Sequence, residues 1–277
     1  MDPIAEYNQQ RWAALVQANA IFTRPQLDLD EAAARALVDP EGRLGEVRGK
    51  RVLCLASGGG QQSVAFALLG ARVTVVDLCA EQLEQDRAAA AHYGLAPEIV
   101  QADMRDLSAL PAAAFDLVYH PYSINFVPDA RIVFGEVARR LRDGGLYRFD
   151  CANPCFAGLL IQDWDGKGYP LWRPYADGAE IHYPDEPWVF GGAPPVGSIN
   201  QPREYKHTLG TLINGLIEQG FALQQVIEGY LCQPDIAAAP GTMAHVMAIA
   251  PPILRFWAIR RQGRSSSPRA GAAERDG

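Results

Sequence analysis

The stretch Arg51 to Gln62, RVLCLASGGGQQ, limits the possible folds more than any other part of this chain. Val52-Leu53-Cys54-Leu55-Ala56 is a short apolar run with strand propensity, and three consecutive glycines follow it before a helical pattern begins. Strand, glycine turn and helix are the natural reading. Glycine tolerates positive φ and lets another group approach the main chain closely. The helix that follows aims its unpaired N–H groups and positive dipole end at the same point. A nucleotide-like ligand suits such a turn, although a tight turn needs glycine even where nothing binds.

The next hundred residues repeat the alternation. A helix is expected near Gln62 to Leu69, a buried strand over Arg72 to Asp77, and a helix from Ala80 to Tyr93 closed by Gly94. Glu98 to Asp103 reads as a third strand and Phe115 to Pro121 as a fourth. Asp129 is placed to cap a helix that carries Val133, Phe134, Val137 and Leu141 and closes at Gly144-Gly145, and a fifth strand opens at Leu146. Strands joined by helical crossovers form a parallel sheet covered on both faces. Ligands of such sheets sit at the carboxyl ends of the strands, where the strand order reverses.

Residues 5–20 place Trp12, Leu15, Val16 and Asn19 at helical spacing, and a second helix runs from Asp30 to Val38 with Asp28 or Asp30 as its cap. Neither could bury its apolar face alone, so 1–49 is expected to be a helical lid on a core of 50–154. After Pro154 the alternation stops. Residues 155–204 are rich in proline and glycine and carry Phe156, Trp164, Tyr169, Trp172, Tyr175, Tyr183, Trp188 and Phe190. A segment this long with little periodicity reads as an inserted cap with a function, or as a satellite core beneath a loop. Residues 205–261 are expected to complete the core with a helix over Tyr205 to Gln219 and strands over Ala222 to Tyr230 and His245 to Ala250. Residues 262–277 have almost nothing to bury and read as a disordered tail.

The net charge of -7 offers no general attraction for nucleic acid or an anionic membrane, which favours a small-molecule partner. The first dozen residues lack the positive start and apolar core of a signal peptide, which points to the cytoplasm. Five scattered cysteines form neither a disulfide framework nor a set at metal-ligand spacing, so no metal is expected.

Four features coincide at strand tips: Ser57-Gly58-Gly59-Gly60, Asp77, Asp103-Met104, and His120-Pro121-Tyr122-Ser123. On these, together with FDLVYHPYSINFVPD and EVARRLRDGGLYRF, the sequence resembles the class I S-adenosylmethionine-dependent methyltransferases, strongly over Lys50 to Asn153 and more loosely beyond. The resemblance implies a three-layer, doubly wound α/β fold with a seven-stranded, mostly parallel sheet and an antiparallel edge strand, here with the aromatic-rich cap inserted. It also implies S-adenosyl-L-methionine as cofactor. Carried over, the amino-acid part would lie on Ala56, Ser57, Gly58, Gly59, Gly60 and Gln61, the ribose on Asp77, and the adenine between Leu78, Asp103 and Met104. His120 to Ser123 would border the transferred methyl. Cys54 stands where the family usually carries an acid, and Ala56 where it often has glycine; Ser57, Gln61, Tyr7 or a backbone carbonyl are the candidates to replace the acid.

Methyl transfer needs the acceptor held behind the methyl carbon in a water-poor pocket, with a base only where the acceptor must lose a proton. His120 is the first candidate for base or orienter, and Tyr122 and Asn125 are second, as groups that can orient a hydroxyl acceptor without accepting its proton. Trp12, Asn125, Trp164, Trp172 and His182 are the candidates to hold an acceptor with apolar or aromatic surface. Two rivals are a nicotinamide-dependent Rossmann enzyme, which Ser63 disfavours by replacing the third glycine of GxGxxG, and a non-catalytic cofactor-binding module.

Overall fold

A computed structural model describes residues 2–185, 189–190, 199–228, 235 and 237–261. The ring of Trp188, Cys232 and the tail expected over 262–277 lie outside the described residues. Two helices precede the sheet. α1 (Pro3–Gln17) starts on Asp2, whose carboxylate accepts from the N–H groups of Ile4 and Ala5, and α2 (Glu31–Val38) starts on Asp30, which accepts from Ala33. Asn19, expected within the first helix, lies just past its end at φ 54°.

Seven strands form the main sheet. β1 (Arg51–Leu55), β2 (Arg72–Asp77), β3 (Glu98–Gln101), β4 (Phe115–His120) and β5 (Leu141–Ala152) are mutually parallel where they pair. α3 (Gln62–Leu68), α4 (Ala80–Tyr93) and α5 (Ala130–Arg140) connect them. The order is β3-β2-β1-β4-β5-β9-β8, so the chain reverses direction across the sheet between β1 and β4. β8 (Phe221–Glu228) and β9 (Ile253–Arg260) close that end, β9 running antiparallel to both β5 and β8.

Strict alternation divides the side chains between two cores. Leu53, Leu55, Val118, Tyr147, Phe149 and Phe256 meet α5 and α6 (Leu209–Glu218) on one face. Val52, Cys54, Val73, Val75, Leu117, Tyr119 and Trp257 meet α2, α3 and α4 on the other. Burial on both faces explains why the strands read as continuous apolar runs.

Three boundaries differ from the sequence expectation. His245–Ala250 is not a strand: α7 (Met243–Ile249) occupies it, capped by Thr242, whose hydroxyl accepts from His245 N–H. A short apolar run does not distinguish helix from strand, and Pro251-Pro252, unable to donate to a ladder, mark the junction with the true strand β9. Tyr205 does not begin a helix but ends β7 (Arg203–Tyr205), which pairs antiparallel with β6 (Glu180–His182); α6 starts only after Thr208. Gly144-Gly145 do not close α5, which ends at Arg140. They lie in an irregularity within β5, between the pairs Phe115–Leu141 and Leu117–Leu146. No helix among the described residues is long and apolar enough to cross a membrane.

Candidate active site

A cavity of about 820 Å³ opens at the carboxyl ends of the strands, beside the reversal between β1 and β4. Ala56, Ser57, Gly58 and Gln61 from the turn after β1 line it, with Asp77 and Leu78 after β2 and Asp103 and Met104 after β3. Tyr122 and Ser123 face them from beyond β4. Asn8, Arg11 and Trp12 of α1 form another wall, and Phe156, Tyr183 and Glu204 contribute from the cap.

The turn is held from behind by α4. A Cβ on Gly58 would lie 2.6 Å from Gln82 Cβ and 2.9 Å from Asp77 Oδ2, and one on Gly60 would lie 2.7 Å from both Ala89 Cβ and the Gln85 carbonyl oxygen. Glycine is therefore required here by close approach as well as by the positive φ of Gly59 and Gly60 (116° and 69°). Ala56 takes φ 45°, a left-handed conformation that glycine adopts freely and that strains an L residue.

Asp77 accepts from Gly58 N–H and Cys79 N–H, each at 2.9 Å. Burial nevertheless holds its carboxyl above the usual range, with those two donors working in the opposite direction. A second acid reaches the turn that sequence reasoning did not find. Asp86, fully buried on α4, accepts from Gly59 N–H at 3.0 Å and from the Ser63 hydroxyl. Burial raises its pKa to about 7 against the Ser63 and Gly59 donors, with the Asp77 charge adding to the rise. The sequence did hold a signal: Gln82, Asp86 and Ala90 fall at i, i+4 and i+8 and so share one face of α4, a polar pair on a face that must be buried.

Asp103 is gripped by Arg105, which donates from its backbone N–H at 2.9 Å and its Nη2 at 2.6 Å. The same guanidinium pairs with Asp2, so the β3 tip is tied to the start of α1. Asn8 donates to the Phe126 carbonyl at 2.9 Å, and Trp12 meets the Phe126 ring edge-on with centroids 5.8 Å apart.

Several expected residues do not reach the cavity. His120 is fully buried, with Nδ1 2.9 Å from the Tyr147 hydroxyl and its ring stacked on the Tyr147 ring. In β4 it alternates with Tyr119 and so points, like Val118, toward α5 and α6. Burial and the Arg148 charge lower its pKa to about 3, which leaves a neutral core imidazole rather than a base at the crevice. Tyr7 points outward, donating to the Gln201 carbonyl at 2.7 Å beneath the Arg203 guanidinium. Asn125 braces the chain, donating to Tyr205 O and accepting from Ala152 N–H. Trp164 packs with Tyr169 and His245 in a satellite cluster, Trp172 is 64% exposed beneath Arg173, and His182 pairs with Glu180 at 2.7 Å. Composition marked the cap as ring-rich; which rings turn inward depends on long-range packing. Among the described cap residues that line the cavity are Phe156, Leu160, Tyr183 and Glu204, whereas Trp164, Trp172 and His182 are not.

Residues 53–149 match a family model described as a methyltransferase domain. Over 213 residues the chain is 33% identical to the uncharacterized methyltransferase YbaJ of Bacillus subtilis (strain 168), covering 76% of this chain and 80% of that protein. This chain belongs to the class I S-adenosylmethionine-dependent methyltransferases. Its cofactor is S-adenosylmethionine. An S-adenosylmethionine-dependent methyltransferase from Mesorhizobium loti superposes with a TM-score of 0.61 at 28% identity, over 85% of this chain and 100% of that one. The ubiquinone biosynthesis O-methyltransferase of Cronobacter sakazakii (strain ATCC BAA-894) is 35% identical over 111 residues, which span only 46% of its length. Two features of the methyltransferase's cavity suit the cofactor. Gly58 presents bare backbone where a Cβ has no room, and the buried Gln82 Oε1 at the cavity wall has no hydrogen-bond partner among the described residues.

Proposed function

We propose that this methyltransferase acts on a small organic molecule with apolar surface, held in the same cavity as the cofactor. One observation carries the reading: the space is continuous from the Asp77 carboxylate to the apolar walls of α1, the cap and α7, where Trp12, Phe156, Met243 and Met247 lie. Its volume of about 820 Å³ lies toward the upper end of ligand pockets, which run from about 300 to 1,000 Å³, and so suits two ligands side by side.

In this reading Ala56 to Gly58 and Gln61 seat the amino-acid part of the cofactor, while Gly59 and Gly60 shape the turn without facing the cavity. Asp77 accepts from the ribose hydroxyls. Leu78, Asp103 and Met104 bracket the adenine, and Tyr122 stands at the methyl end. Bound S-adenosylmethionine supplies an electrophilic methyl group on a sulfonium whose departure leaves a neutral thioether. The protein's own work is to align the acceptor and exclude water. The acidic balance of the chain and the largely apolar walls favour a small acceptor over a nucleic acid.

Calorimetric titration with S-adenosylhomocysteine tests the site. Binding in the micromolar range, lost on Asp77→Ala in a protein that still unfolds cooperatively, is the expected result. Unchanged affinity in that variant refutes the ribose assignment. For the acceptor class, labelled cofactor incubated with a cell extract should mark a low-molecular-weight species; label found only in protein or nucleic acid refutes it.

A further inference from the structure

A buried acid of the cavity wall lies outside the residues assigned to the cofactor. Glu204 sits on β7, in the short hairpin of the cap, and is 3% exposed. Its Oε2 accepts from the Tyr122 hydroxyl at 2.6 Å and its Oε1 from the Tyr183 hydroxyl. All three residues line the cavity, Tyr122 coming from the β4 tip at the strand-order reversal and the other two from the cap. The nearby cation, Arg11, is itself bound to Asp185 and to the Asn200 carbonyl. No cation makes ion-pair contact with Glu204 among the described residues. A carboxylate offers about four lone-pair positions, and two tyrosines fill two of them.

We infer that Glu204 is the proton acceptor of the methyl-transfer reaction, and that the acceptor substrate is an oxygen or nitrogen nucleophile that carries a proton on an otherwise apolar body. The inference rests on the proposed shared cavity. As the new bond from the heteroatom to the methyl carbon forms, the methyl–sulfur bond breaks and its electron pair stays with sulfur. The heteroatom's proton passes to Glu204 and later to solvent, so charge and atoms balance. Tyr122 and Tyr183 orient the carboxylate. Burial and the adjacent carboxylate raise both phenols above their usual range, so they remain donors and do not compete as bases. Burial likewise raises the Glu204 carboxyl, against the pull of the two tyrosine donors, and so increases its proton affinity. A thioether or tertiary amine acceptor would bring no proton and would leave this carboxylate without a task.

The probes are 4-butylphenol and 4-butylaniline, each paired with its proton-free counterpart, 4-butylanisole and N,N-dimethyl-4-butylaniline, all four being uncharged near neutral pH. Each is titrated calorimetrically into protein saturated with S-adenosylhomocysteine. At least one proton-bearing probe should bind about tenfold or more tightly than its counterpart, the effect of one hydrogen bond to a charged acceptor. Glu204→Gln should erase that preference while S-adenosylhomocysteine affinity stays within about twofold, and Tyr122→Phe should reduce it. Labelled methyl transfer to the preferred probe should fall with Glu204→Gln in turnover more than in KM. Equal binding of proton-bearing and proton-free probes by the wild-type protein overturns the inference even if the variants do not fold. So does the absence of any binding below millimolar concentration, or a preference that survives Glu204→Gln. Failure to bind S-adenosylhomocysteine at all instead overturns the underlying cavity assignment, and this inference with it.

Discussion

Replacing Asp86 by Asn should remove a specific part of the pH dependence of stability. Asp86 is fully buried behind the glycine turn, and its pKa is raised from the usual 3.8 to about 7. The folded chain therefore binds a proton here more tightly than the unfolded chain does. Stabilisation from that proton is fully present below pH 3.8 and is lost as pH rises through 7. The difference between the two pKa values corresponds to about 4 kcal/mol over the whole range, of which about 3 kcal/mol falls between pH 5 and pH 8. Asn keeps the shape and can accept from Gly59 N–H but does not titrate. Urea unfolding of both proteins, followed by tryptophan fluorescence across that range, gives the difference directly. Glu204, another buried acid with a raised pKa, is common to both proteins and cancels, and Asp77, whose charge acts on Asp86, is removed from the comparison by making both measurements in an Asp77→Asn background. The stability of the variant relative to wild type should rise by about 3 kcal/mol from pH 5 to pH 8. Parallel profiles would refute the placement of Asp86 as an acid that takes up its proton within the folded turn.

Ala56→Gly should raise stability by about 0.5–1 kcal/mol, because relief of the left-handed strain at φ 45° exceeds the added freedom of the unfolded chain; a lower melting temperature refutes this. Gly58→Ala forces a Cβ to within 2.6 Å of Gln82 Cβ and 2.9 Å of Asp77 Oδ2. It should cost about 1–3 kcal/mol of stability and weaken S-adenosylhomocysteine binding about tenfold or more, both read in a thermal-shift titration, and unchanged affinity would show that the Asp77 carboxylate does not face the cofactor.

The glycine turn after β1 and the acids at the β2 and β3 tips were legible in the sequence because the signals are local. Continuous apolar runs at β1, β2 and β4 reflect burial on both faces, the glycine turn announces itself by composition, and Asp30, Gly94 and Asp129 mark helix ends through hydrogen bonds and dihedral angles spanning a few residues. Asp77 followed from its place at the end of the second apolar run. What the sequence did not determine is which side chains of the irregular segments meet across the cavity. His120 has the right position along β4, but the pleat turns its ring to the core, and Tyr122, two residues beyond the strand, takes the place beside the crevice. Trp164 and Trp172 supply the expected rings of the cap, yet one packs on His245 and the other stays exposed. Asp86 and Glu204 lie 23 and 82 residues from the groups they bind, Ser63 and Tyr122. Contacts over such separations leave no period or turn chemistry in the chain; only the packing of α4 against the turn, and of the cap hairpin against the β4 tip, brings those carboxylates to the site. The stretch RVLCLASGGGQQ thus announced its strand and glycine turn by itself, while tertiary structure supplied Asp86, the buried acid of α4 that accepts from Gly59 N–H and the Ser63 hydroxyl behind that turn.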